Sequence, residues 1–167
     1  MNYKKLVKQQ LVVTKTRVAQ WIDWNPDSDA YEAYMDTRRV VIPKPVCDWS
    51  FLVCLHEIGH ISTGERLYSY LEEYNAEKWA IKRAYDIAGI VCEEYIEDAK
   101  LYVKRHLITN LLQNDLKLDK VKPYVLDWMG ETKESLMVQV FKQAAQSMGI
   151  NYEEAVATLN KKEYITI

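Results

Sequence analysis

Long apolar runs are missing from this 167-residue chain. None reaches the ~18 residues that a bilayer-spanning helix needs, so no membrane partner is expected. The opening residues Met1-Asn2-Tyr3-Lys4-Lys5 lead into no extended apolar core, which argues against a secretory signal. Charge of one sign is lacking too: 22 Lys and Arg against 24 Asp and Glu leave a net of −2. A general nucleic-acid binder would need a basic stripe, so no nucleic-acid partner is expected either. Cysteine is sparse. Three residues without pairing rhythm exclude a disulfide framework and point to reduced thiols and a cytoplasmic location. Cys47, Cys54 and Cys92 are expected to be structural. Repeats and low-complexity segments are absent. The length fits one domain, or one domain with an appendage, burying about two-thirds of its extended surface.

Histidine is also scarce, and that makes its placement informative. Two of the three histidines fall in His56-Glu57-Ile58-Gly59-His60. On an α-helix, positions i and i+4 share one face, one turn apart, so the two imidazoles can converge on one Zn²⁺. Glu57 sits roughly 100° round from His56 and flanks the metal, where it can accept a proton from an activated water. The pattern points to a metal-dependent peptide hydrolase. The surroundings support a helix. Pro43-Lys44-Pro45 blocks helix upstream, Asp48 is the expected N-cap, and Gly64 the expected stop. Phe51-Leu52-Val53-Cys54-Leu55, Ile58 and Ile61 are apolar round the whole circumference, as in a buried helix. The competing interpretation is a core helix with two hydrogen-bonded histidines.

A catalytic zinc site needs a third protein ligand and an open fourth position. Residues 67–88 read as one long helix ending at Gly89. On its wheel Glu73, Glu77, Ala76, Ala80, Ala84 and Ile87 share one side, with Asn75, Lys78, Lys82, Asp86 and Glu72 opposite. Acids on a small-residue face need a cationic partner. Glu73 is therefore assigned as third ligand, and Glu77 as the acceptor for a ligand imidazole N–H. Without a metal, the two acids would simply sit at the mouth of a groove. Glu94 and Asp98 repeat the same spacing and are the rival pair, but they cluster with Glu93 and Glu97 opposite Cys92, Tyr95, Ile96, Ala99, Val103 and Leu107. That is the pattern of a solvated face. His106, near the buried stripe, is either a core residue or a donor to a tetrahedral intermediate. Tyr74 and Tyr95 are the other candidates for that donor.

His56-Glu57-Ile58-Gly59-His60, followed by Glu73-Tyr74-Asn75-Ala76-Glu77-Lys78-Trp79-Ala80, resembles the ImmA/IrrE-type metallopeptidases of bacteria and phages over roughly residues 30–105. Their pattern is H-E-x-G-H and then E-x-x-A-N-x-F-A. Here Glu77 stands at the Asn and Trp79 at the Phe, and Ala84-Tyr85-Asp86-Ile87 replaces an L-L-x-P segment. The resemblance implies a minimal zincin with His56, His60 and Glu73 as ligands and Glu57 as general base. It also implies a protein substrate, a regulator among the expected ones, and an exposed edge strand just before the active-site helix that binds extended peptide.

Upstream, residues 31–35 and 38–42 read as a hairpin closed by Pro43. Arg38 and Arg39 either bias a groove toward acidic substrates or are ordinary edge charges. Residues 11–22 are β-branched and read as a further strand after a short basic amphipathic start. Trp21 and Trp24 are expected to pack as anchors of the loop Asn25-Pro26-Asp27-Ser28-Asp29. Past a charged, loop-like patch over residues 114–123, residues 133–148 and 152–159 read as helices and 163–167 as a strand. That is the order of a helix-turn-helix or small winged module. Glu153 and Glu154 occupy the second helix where a DNA reader wants basic or amide side chains, which favours a helical cap or a docking surface.

The expected fold is thus α+β: a minimal zincin-like domain over residues 1–112, with a small antiparallel sheet, an active-site helix and a following ligand helix. A helical C-terminal extension covers 113–167. The expected function is zinc-dependent endopeptidase. The alternative is a non-catalytic regulatory or binding protein on the same scaffold, against which an intact Glu57 argues.

Overall fold

The computed structural model describes residues 1–64, 66–113 and 116–153. It is α+β, with six α-helices, one short 3₁₀ helix and a three-stranded sheet among those residues. Residues 1–106 form one compact unit and the remainder a second, the boundary lying inside a helix. None of the described helices is long and apolar enough to cross a membrane.

The first unit opens with α1 (Tyr3–Val13), capped where Asn2 accepts a hydrogen bond from the Lys5 N–H. Here the sequence expectation needs correcting. Leu11, Val12 and Val13 belong to this helix, and the strand β1 covers only Arg17–Ile22. Leu11 buries its side chain while Val12 and Val13 stay exposed, so helical periodicity overrides their β preference. Strands β2 (Glu32–Tyr34) and β3 (Arg39–Pro43) form the expected hairpin, pairing Glu32 with Val41 and Tyr34 with Arg39.

The sheet order is β1-β3-β2, and β1 runs parallel to β3, with a bulge at Ala19. The sheet is therefore mixed, not antiparallel as expected. The reason is in β3: Val40, Val41 and Ile42 are all buried, on both faces, which suits a central strand. The strand just before the next helix is consequently paired on both sides, and the sheet's edges are β1 and β2. Arg38 adopts a positive φ of 52° and donates to the carbonyls of Thr14 (2.5 Å) and Lys15 (3.4 Å), which ties the turn to the α1–β1 connection.

Helix α2 (Asp48–Thr63) packs against β3, α1 and α3 (Ser69–Ala88). Its N-cap is Cys47, one residue earlier than expected. The Ser50 hydroxyl reaches back to accept from the N–H groups of Val46 (2.8 Å) and Cys47 (3.0 Å). Asp48 instead lies in the first turn, favourable to the helix dipole, and accepts from the Tyr3 hydroxyl. Phe51, Leu55 and Ile58 are wholly buried, each contributing about 1.5–3 kcal/mol. Cys54 is buried too, its thiol donating to the Pro43 carbonyl, and all three cysteines are free. Cys92 is half-buried and precedes α4 (Glu93–Leu112), so it does not join the buried stripe of that helix.

Gly59 decides how close α2 and α3 come. A Cβ there would lie 2.8 Å from the Ala76 carbonyl oxygen and 3.1 Å from its Cα. Ala76, Ala80 and Ala84 are fully buried on the facing side of α3, which ends at Gly89 in the left-handed conformation. Two small-residue surfaces thus bring the polar ends of the helices together.

In the second unit, Pro123 opens a helix, α5 (Pro123–Met129), within and just beyond the patch expected to be loop; proline at the first helical position costs nothing there. The 3₁₀ helix Leu118–Lys120 precedes it. Helix α6 (Lys133–Ser147) follows as expected, capped by Thr132 accepting from the Ser135 N–H. The helix expected over 152–159 lies outside the described residues beyond Glu153, as does the strand over 163–167.

Candidate metal centre

Helix α2 delivers His56, Glu57 and His60, and α3 delivers Glu73 and Glu77, all to one place. His56 Nε2 and His60 Nε2 are 3.1 Å apart. Glu73 Oε2 lies 3.3 Å from the first and 3.4 Å from the second. Donors at ~2.0–2.1 Å from a tetrahedral ion sit roughly 3.3–3.4 Å from one another, so this triangle has the size of one face of a zinc tetrahedron. Among the described residues, His56, His60 and Glu73 form the group whose ligand atoms are mutually close enough to hold a metal.

Hydrogen bonding fits the same reading. Relative exposures are 8% for His56, 7% for Glu57, 9% for Glu73 and 5% for Glu77, which is expensive for so many polar groups without compensation. Despite the short distances, Glu73 Oε2 has no aligned hydrogen bond among the described residues. An orphaned buried carboxylate oxygen facing two ring nitrogens is what metal coordination would satisfy. The donor set suits Zn²⁺: two imidazoles and one carboxylate, with no cysteine in the group among the described residues.

Around the triangle, His56 Nδ1 is 3.1 Å from Glu77 Oε1, close although off the hydrogen-bond line. The second Glu77 oxygen accepts from the buried Tyr95 hydroxyl at 2.9 Å. Tyr95 stacks edge-on against Trp49. Burial alone would push His56 down, but the carboxylates of Glu77, Glu73 and Glu57 hold its imidazole well above the ordinary value. Burial opposes the charge of Glu73, yet its contacts with His56 and His60 keep the carboxyl well below the usual range. Glu57 moves the other way. Burial raises it, helped by Glu73 and Glu77 and opposed by the two histidines. An elevated carboxyl pKa is the setting of a general base.

His56, Glu57, His60 and Glu73 line a cleft of about 250 Å³, whose far wall is Ala33 and its neighbours on the free edge of β2. Glu94 and Asp98, the rival acids, are exposed and take no part in the cluster. The three expected donors fare differently. Tyr95 is engaged by Glu77, Tyr74 does not line the cleft, and His106 stands back, packed on Tyr102 with ring centroids 4.8 Å apart.

Tyr102 is the residue that sequence reading missed. It lines the cleft, its ring meets that of His56 edge-on at 6.3 Å, and the residue is 39% exposed, within reach of an occupant of the cleft. Burial and the nearby Glu73, Glu57 and Glu77 raise its pKa, so the phenol keeps its proton. A signal was present: Tyr102 falls three residues after Ala99 and four before His106, on the Tyr95 stripe. Neither the protein-family models, nor the curated proteins, nor the solved structures contain a match to this chain.

Proposed function

We propose that the chain is a zinc-dependent endopeptidase of the ImmA/IrrE type, with a zincin-like arrangement of helices and edge strand. The carrying observation is the 3.1–3.4 Å triangle of His56 Nε2, His60 Nε2 and Glu73 Oε2 beside a buried, base-like Glu57 in an open cleft. When bound, Zn²⁺ supplies Lewis-acid activation of water and of the scissile carbonyl. Glu57 accepts the proton of the attacking water and delivers it to the leaving amine. Tyr102, protonated and in the cleft wall, donates a hydrogen bond to the carbonyl oxygen as it gains negative charge, a contribution typically worth ~3–4 kcal/mol. Glu77, held by Tyr95, orients His56 through Nδ1. The free edge of β2 presents backbone groups to an extended substrate, which makes a peptide the natural occupant. Glu57 also speaks against a purely binding role, since a scaffold would have no use for a buried base.

The test is proteolysis of a synthetic peptide library read by mass spectrometry. Wild-type protein with one zinc per chain is expected to cut, and Glu57→Gln with the same zinc content is not. Equal cutting by both would defeat the assignment.

A further inference from the structure

The cleft at the metal centre continues into a second one of about 390 Å³, and the two share Tyr31, His56, Glu57 and Tyr102. One runs along β2, the other beneath the loop over residues 24–31 and past α4. Their lining charges are lopsided. Glu32, Glu57, Glu72 and Glu73 line the first arm, and the second adds Asp27, Asp29, Glu77 and Asp98. Arg105 is the one Lys or Arg in either lining. Eight carboxylates facing one guanidinium is far from the near balance of the whole chain, and even a divalent ion leaves the lining negative.

Three of the eight acids, Glu57, Glu73 and Glu77, belong to the site chemistry. The other five occupy the rims. None of those five is held in a salt bridge among the described residues. A cleft lined by one sign of charge concentrates and orients ligands of the other. An independent feature points the same way. Trp24 and Tyr31 stack at 6.1 Å in the wall of the second arm, and Tyr31 is pinned by hydrogen bonds at 3.0 Å with the backbone of Asn25. Fixed aromatic faces beside carboxylates suit guanidinium and ammonium groups.

We infer that this cleft selects peptides carrying Lys or Arg on both sides of the scissile bond. The inference rests on the endopeptidase reading, and it excludes the alternative that Arg38 and Arg39 draw acidic substrates. Those arginines line neither arm, and Arg38 is occupied by Thr14 and Lys15.

Two fluorogenic peptides, identical except for Lys or Glu at the two positions on each side of the central bond, provide the test. Binding is measured by anisotropy on zinc-loaded Glu57→Gln protein and turnover on zinc-loaded wild type. The Lys peptide is expected to bind at least about tenfold more tightly at low salt, with the preference shrinking as salt shortens the screening length. The Asp27→Asn/Asp29→Asn/Asp98→Asn protein should lose most of that preference, about two- to fivefold per charge. Equal binding of the two peptides, or a preference for Glu, overturns the inference whatever the turnover. Preferential binding without cleavage by wild type instead sinks the endopeptidase reading and leaves the charge selection standing.

Discussion

Helices α3 and α4 each carry two acids four residues apart, and the structure treats them in opposite ways. Glu73 and Glu77 are buried against imidazoles, whereas Glu94 and Asp98 face solvent. Spacing is common to both pairs, so spacing does not make a ligand. The difference lies in the neighbours. Ala76, Ala80 and Ala84 let α3 approach Gly59 of α2 until a Cβ would collide with backbone. Glu94 lies opposite the buried Tyr95, Ala99, Val103 and Leu107 of α4, on the side left to water, and Asp98 sits exposed at the flank beside Tyr95. A carboxylate becomes a candidate ligand when small residues around it draw another helix within reach.

The comparison breaks most visibly in metal affinity. Glu73→Ala should weaken zinc binding by more than about a hundredfold and Glu94→Ala should leave it unchanged, as competitive chelator titration would report. If the two variants bind alike, α3 has no privileged pair. Next in size, Glu77→Gln should cost about 10–100-fold in zinc affinity by the same titration, because it removes the negative oxygen beside His56 Nδ1. The equivalent change at Asp98 should cost none, although it should weaken the proposed preference for basic peptides. The helix contact itself is probed by Gly59→Ala, expected to destabilise the fold by about 1–3 kcal/mol in urea unfolding, since the obstacle is the Ala76 backbone. Alanine at an exposed α4 position should stay within about 0.5 kcal/mol.

The smallest effect sharpens the link between the two helices. Tyr95→Phe leaves a Glu77 oxygen without its phenol and should cost about 1 kcal/mol at pH 8. Burial, and then Glu77, raise the Tyr95 phenol well above its ordinary value of about 10. The folded protein therefore keeps a proton that the unfolded chain releases near pH 10, and wild-type stability falls as pH climbs past that point. The variant lacks this loss, so unfolding curves from pH 8 to 11.5 should show the gap between the two proteins closing.

Much of this centre could be read from the chain because it is built from local patterns. The i and i+4 histidines, the apolar circumference of α2, the alanine face of α3 and the glycines at both helix ends are all short-range signals, and α2 and α3 formed within a residue or two of expectation. Non-local facts were not readable in the same way. The parallel pairing of β1 with β3 depends on a connection that carries β2, and no periodicity announces it. Tyr102 carries no motif of its own, and only the placement of α4 brings its ring against His56. Asp27 and Asp29 looked like turn residues, and only the path of their loop makes them part of a cleft wall.

Zinc K-edge absorption of the purified, zinc-loaded protein addresses the proposed metal centre most directly. Two imidazole nitrogens together with oxygen donors, all at ~2.0–2.1 Å, are the expected shell, with the oxygen contribution altered in Glu73→Ala. A shell without imidazole scattering, sulfur at ~2.3 Å, or a spectrum indifferent to the loss of Glu73 would contradict the assignment.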